Sequence, residues 1–268
     1  MKESFSSAIE AVANFADIFH AKRIKNYYKT KVIDTVIDVG SHKGEFINLV
    51  CDDKIPIYSF EPQSSVRELL IDNTKNKNIV EYYDYALSSY DGSIDLFLNK
   101  LTSTTSTIPP NEKSYWVRFK KLILGGELLS GKESVGTTTL DKLFSGKLEE
   151  SGAILLKIDV EGAEGDVLMG AENIISEYDV AYIQIESANY KIYSATKSPD
   201  ALKILAKHGY HVDKRFLFPL LNFSDIVFSK VDQRIIVLLI CSAHLICRYN
   251  QRSTLRCQNL PLRTTTIF

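Results

Sequence analysis

Val36-Ile37-Asp38-Val39-Gly40-Ser41-His42-Lys43-Gly44 is the stretch on which the fold is decided. Its first half is a β-rich apolar run, and the helical pattern from Glu45 to Cys51 follows the second glycine directly, so the segment reads as strand, tight turn and helix. Glycine in such a turn lets the backbone approach a ligand closely, and the start of a helix favours an electron-rich group. The spacing is not the G-x-G-x-x-G of nicotinamide dinucleotide sites, because His42 stands where the middle glycine would be and would obstruct a pyrophosphate. D-x-G-x-x-x-G suits a cofactor without phosphates. Taken alone, an ordinary strand-to-helix turn explains it equally well.

Working outward, the same alternation repeats. The pattern predicts strands at Thr35 to Val39, Ile57 to Phe60 and Ile79 to Tyr83, with helices at Glu45 to Cys51 and Ser65 to Asn73 between them. Asp91-Gly92 marks a turn before a hairpin strand at Ile94 to Leu98. The rhythm resumes with a buried strand at Ala153 to Ile158, one helix from Glu164 to Ile175, and a strand at Val180 to Ile185. Pro199 opens a further helix that Gly209 ends, after which Tyr210 to Val212 and Phe223 to Phe228 close the sheet as an antiparallel pair. This is a doubly wound, Rossmann-like α/β fold, mostly parallel, with an antiparallel strand near its C-terminal edge.

A chain of 268 residues allows one such domain with extensions. Residues 1–29 form an N-terminal extension, in which Phe5, Ile9, Val12, Ala16 and Phe19 recur at helical spacing; that stripe suits core or dimer packing. Residues 30–230 form the domain, interrupted by an insertion at 101–136 that carries a Ser/Thr-rich stretch and then Tyr115, Trp116 and Phe119; a lid and a plain surface excursion explain it equally well. Residues 231–268 are an atypical tail: its basic residues are arginines and one histidine, and no acid follows Asp232, so it is expected to be dispensable to the fold.

Composition excludes several function classes. Hydrophobic residues at 45% and charged residues at 24% are globular averages, and a net charge of -1 offers no basic field for nucleic acid. The apolar run Ile235 to Ile246 is too short to cross a bilayer, and the N-terminus does not look like a signal peptide, so neither a membrane span nor secretion is expected. The four cysteines make no C-x-x-C pair and no zinc spacing, which fits a reducing, cytoplasmic setting. Oligomeric state is not legible.

Carboxylates at predicted strand ends carry the candidate chemistry. Glu61, after the second strand, is placed to accept both hydroxyls of a ribose, and Asp84, after the third, to accept from an adenine amine; surface acids would look the same. Asp159 and Glu186 end two further strands, with Glu161 close behind Asp159. As oxygen donors, Asp159 and Glu186 are the pair to hold Mg²⁺ if a metal is used, though two carboxylates do not by themselves imply one. Glu161 and Glu164 equally suit a helix N-terminus. His42 is a candidate base or a hydrogen-bonding turn residue. Lys157 is expected to be a strand residue whose amine reaches solvent.

These motifs, in this order, resemble the FkbM family of S-adenosylmethionine-dependent methyltransferases: Ile37-Asp38-Val39-Gly40 with Gly44, Phe60-Glu61-Pro62, Ala86-Leu87-Ser88 with Asp91-Gly92, Thr139-Leu140-Asp141, and the long run from Leu156 to Glu164. The resemblance implies a class I methyltransferase fold, S-adenosylmethionine as cofactor, and O-methylation of a sugar, a glycan or another small hydroxylated metabolite. On the matching positions it implies cofactor contacts from Asp38, Gly40, Ser41, Gly44, Glu61, Asp84 and Asp159. Catalytic candidates are Asp159, Glu161 and His42, and Gly40 is expected to be a glycine because a Cβ would fill ligand space. Ser41-His42 departs from the pair usual in the family. A nucleoside-binding protein without turnover and a nicotinamide oxidoreductase are the competing readings, and His42 weighs against the second.

Overall fold

The structure is a computed structural model that describes residues 16–99, 105–109, 117–118, 129–188, 200–218 and 223–230. A helix, α1 (16–28), leads into β1 (Thr35–Val39), α2 (Glu45–Leu49), β2 (Ile57–Phe60), α3 (Ser64–Asn73), β3 (Ile79–Tyr83), β4 (Ala86–Leu87), β5 (Gly92–Asn99) and β6 (Leu129–Thr138). There follow α4 (Leu140–Phe144), β7 (Ile154–Ile158), α5 (Glu164–Met169), α6 (Glu172–Glu177), β8 (Val180–Ala188), α7 (Ala201–Lys207), β9 (Tyr210–Leu217) and β10 (Phe223–Lys230).

Seven strands form one sheet in the order β3-β2-β1-β7-β8-β10-β9. β1, β2, β3, β7 and β8 are parallel, and β10 runs antiparallel to β8. This is the doubly wound, mostly parallel sheet with an antiparallel strand near its C-terminal edge that the sequence pattern leads one to expect. All residues of β1 and β7 are buried, because helices cover both faces of the sheet. Alternation along the strands sorts their side chains. Ile37, Leu156, Ile183 and Ile226 share one core with α4, α5, α6 and α7 residues, including Phe144, Leu168, Ile174 and Leu205. Val36, Leu155 and Val227 face the other way, onto Ile24 and Tyr28 of α1, Ile47 of α2 and Leu70 of α3. Each such fully buried side chain contributes about 1.5–3 kcal/mol. α1 is therefore built into the core over residues 16–28; the earlier part of the predicted N-terminal stripe lies outside the described residues.

Two expectations change. The Glu164 to Ile175 helix is two helices broken at Gly170, where a Cβ would sit 2.0 Å from the Ser88 carbonyl oxygen. The chain passes so close to the β4 end that only glycine fits. The strand after Asp91-Gly92 forms no local hairpin: β5 pairs antiparallel with β6, more than thirty residues on, and β6 pairs parallel with β4, giving a second sheet in the order β4-β6-β5. The end of the 101–136 insertion is thus a regular strand, while much of the remainder lies outside the described residues. So does the tail beyond Lys230; the chain divides after Ser229 into two units, the first of which holds the elements above. Among the described residues no helix is long and apolar enough to cross a membrane.

Candidate active site

The glycine turn is closed by its own hydrogen bonds. Gly40 and Ser41 donate through their amides to Phe60 O at 3.0 and 2.9 Å, and Gly44 N donates to Ser41 O at 2.8 Å. Ser41 Oγ donates to Asp38 O at 2.9 Å and accepts from Ser59 Oγ at 2.8 Å. Its side chain is buried inside the turn, which Ser41 thereby fixes. Asp38 is likewise 0% exposed, behind the turn.

Gly40 has φ 79°, and a Cβ there would lie 1.9 Å from the backbone oxygen of Asp159. This corrects the expected reason for the glycine: the space belongs to the neighbouring strand's end, and backbone cannot give way as a flexible side chain would. Gly44, with φ 84°, is similarly enclosed, its Cβ position 2.5 Å from Thr74 Cγ2.

Glu61 leaves β2 where predicted and is 7% exposed. Its Oε2 accepts from His42 N at 3.0 Å and its Oε1 from Gln63 N at 2.8 Å. One acceptor site on each oxygen stays unassigned, which is what two ribose hydroxyls require. Burial pushes the carboxyl up to about 7, against the two amides that hold it down. Asp84 is exposed at the end of β3. His42, in the left-handed region at φ 49°, sets its Nδ1 3.1 Å from Glu45 Oε1. It is not among the grouped carboxylates described next.

Asp159, Glu161 and Glu186 each bring one carboxylate oxygen within 4.8 Å of the others. They come from the turn after β7 and from β8, so strand order assembles them and sequence spacing does not. Glu161 joins the Asp159 and Glu186 pair through a left-handed backbone at φ 58°, and its carbonyl accepts from Ser106 Oγ at 2.7 Å, tying residue 106 of the insertion to this edge. Burial, then the charges of Asp159 and Glu161, push Glu186 well up. Oxygen donors so grouped share protons well and also match what a hard cation takes. Glu164 accepts from Gly162 N at 2.9 Å and holds the turn. Burial pushes it up to about 7.

Lys157 overturns its expectation. Its side chain is 8% exposed, and its Nζ donates to Gly40 O at 3.0 Å while lying 3.3 Å from both Asp38 Oδ1 and Asp159 Oδ2. Burial pulls the amine down, but Asp38 and then Asp159 outweigh it, so the group moves up and stays charged. Register explains the meeting: Ser59, Asp38, Lys157 and Gln184 are aligned across β2, β1, β7 and β8, making a buried polar row beneath the site. Tyr28 of α1 donates to Gln184 Oε1 at 2.8 Å, and Gln184 Nε2 donates to Asp225 Oδ1 at 2.7 Å.

Residues 38–212 of this sequence match the methyltransferase FkbM domain. The chain belongs to the FkbM methyltransferase family. The FkbM segment takes in the glycine turn, Glu61, Lys157 and the three grouped carboxylates, and leaves α1 and β10 outside it. A curated relative, the hexuronic acid methyltransferase AglP of Haloferax volcanii, is 26% identical over 155 residues, covering 58% of this chain and 56% of that protein. The match thus spans little more than half the relative's length. Among solved structures, Aeropyrum pernix fibrillarin with natively bound S-adenosyl-L-methionine is 13% identical with TM-score 0.42, over 74% of this chain and 67% of that one. Magnesium protoporphyrin IX methyltransferase from Synechocystis PCC 6803 with bound cofactor is 8% identical with TM-score 0.45, over 81% of each chain.

The other FkbM motifs have structural tasks. Thr139 Oγ1 caps α4 by accepting from Lys142 N at 3.1 Å, and Asp141 accepts from Asn173 N at 3.1 Å and Ile174 N at 2.9 Å at the start of α6. Asp91 accepts from Thr138 Oγ1 at 2.8 Å and Lys142 Nζ at 2.9 Å, fastening the two ends of the second sheet.

Proposed function

We propose that the chain methylates a hydroxyl oxygen of a sugar or glycan, with a hexuronic acid the first acceptor to test. The observation that carries this reading is the carboxylate group Asp159, Glu161 and Glu186, one strand away from the glycine turn. A hydroxyl becomes a good nucleophile only as its proton leaves, and an anionic carboxylate at that point serves as the base, an effect of about 10²–10⁴ in rate. The AglP relative supports the uronic acid class.

The bound cofactor supplies an electrophilic methyl group. Glu61 holds the ribose hydroxyls, Asp84 accepts from the adenine amine, and the Gly40 to Gly44 turn lines the amino-acid end. Asp159, paired with Lys157, accepts the hydroxyl proton, with Glu186 beside it. Alignment of acceptor oxygen with the methyl group contributes the rest.

Methyl-labelled S-adenosylmethionine incubated with uronic acid oligosaccharides, neutral sugars and amine acceptors tests the reading. A methyl ether on a sugar is expected. Label on nitrogen alone, or none although the cofactor binds by calorimetry, overturns it.

A further inference from the structure

Three parts of the fold meet at one ammonium. Lys157 Nζ faces the Gly40 carbonyl at 3.0 Å, Asp38 Oδ1 at 3.3 Å and Asp159 Oδ2 at 3.3 Å. An ammonium has three N–H donors. One of them donates to the glycine turn, while the carboxylates that pair with the ammonium come from the interior of β1 and from the residue after β7. The Phe46 ring of α2 lies 5.6 Å away.

Charge balance asks for less than this. Asp38 is 0% exposed, and one cation is enough to oppose the burial that pushes its carboxyl up. Yet a buried ion pair is often no more stabilising than apolar residues of the same volume, so stability alone does not account for Asp38 and Lys157. The further reach to Gly40 and Asp159 has a different effect. The backbones of these two residues are already locked, since Asp159 N donates to Val39 O at 2.9 Å and the Gly40 Cα lies against the Asp159 carbonyl. The Asp159 side chain is 31% exposed, and Lys157 ties it to that same body.

We propose that Lys157 is a positioning residue for methyl transfer, holding the Asp159 carboxylate and the Gly40 carbonyl in one fixed relation so that cofactor and acceptor meet a prearranged edge. This rests on the reading of Asp159 as facing the reacting groups. A lysine that only neutralised Asp38 would be dispensable once Asp38 was neutral. A positioning lysine would not.

The test compares Asp38→Asn with the neutral double variant Asp38→Asn/Lys157→Met in the full chain, with calorimetry of S-adenosylmethionine and S-adenosylhomocysteine as readout and thermal melting as the check on folding. Asp38→Asn keeps the ammonium against Gly40 and Asp159 and is expected to lose less affinity than the double variant. The double variant, once shown to be folded, should bind about tenfold or more weakly. The reverse order, with the double variant binding as the unaltered protein does and Asp38→Asn worse, overturns the proposal. Should the double variant not fold, the ¹⁵N resonance of the buried Lys157 amine in the unaltered protein decides: it shifts on addition of S-adenosylmethionine if Lys157 belongs to the site, and an unmoved signal overturns the proposal. Neither readout needs an acceptor. A protein that binds cofactor but methylates no sugar therefore sinks the proposed function without touching this one.

Discussion

The two halves of the sheet edge are built on opposite terms. On the side of β1, β2 and β3, backbone and side-chain hydrogen bonds largely satisfy the glycine turn: Ser41, the Asp38 carbonyl and the turn amides have partners, and Glu61 is held by two N–H groups. On the side of β7 and β8, three carboxylates crowd within 4.8 Å beside one buried ammonium, and the crowding pushes Glu186 well up. A rigid cradle suits a cofactor that arrives in one shape. A cluster of carboxylates suits a step that moves a proton.

The sharpest blow to the rigid half is Gly40→Val. A Cβ 1.9 Å from backbone, at φ 79°, should cost roughly 3–5 kcal/mol and leave little folded protein, read by chemical denaturation. A stably folded variant that merely loses cofactor would return the position to the ligand and undo the contrast. On the other half, Asp159→Asn should leave the fold intact and reduce kcat by about 10²–10⁴ with the acceptor found by label transfer. Glu186→Gln, which keeps a donor towards Asp159, should lose less. Equal losses would move the base to Glu186.

Glu61→Gln should weaken S-adenosylhomocysteine binding about ten- to a hundredfold by calorimetry. Its pH profile sharpens the contrast further. Because burial raises Glu61 from 4.5 to about 7, its contribution to stability is complete below the lower value and is lost as pH rises through the upper one. Ribose needs the ionised acceptor, so affinity runs the other way, rising about tenfold from pH 6 to pH 8. Glu164, also at about 7, adds to the stability slope alone, so Glu61→Gln should flatten the affinity profile and leave part of the other. An affinity that ignores pH in the unaltered protein would place the ribose elsewhere. The smallest effect is expected of His42→Asn, since Asn tolerates the left-handed backbone and an exposed pair with Glu45 is worth less than about 1 kcal/mol. A hundredfold loss of turnover there would restore His42 as a base.

What could be read from sequence follows the same division. Strand, turn and helix around Asp38, and Glu61 one strand later, are local, and period and spacing carry them. Lys157 was misread because a lysine near a strand end usually snorkels. The signal lay in a comparison of two strands: Asp38 and Lys157 each stand one residue before the strand end in otherwise apolar runs, and parallel pairing puts them opposite each other. β6 is not legible because Leu129 to Thr138 contains two glycines, a lysine and a glutamate, and its pairing with β5 and β4 is what makes it a strand. The break at Gly170 depends on Ser88, eighty residues away in the sequence, and no local pattern announces it.

The strand order also dictates when this sheet can be finished during synthesis. β10 is the last strand described, yet it lies between β8 and β9, and its Asp225 receives both Gln184 and, at 2.6 Å, the His20 ring of α1. A nascent chain that has not yet emerged to Lys230 therefore has β8 and β9 with no strand between them, and their unpaired edges are open to other chains. His20, among the first of the described residues to leave the ribosome, waits the longest for its partner.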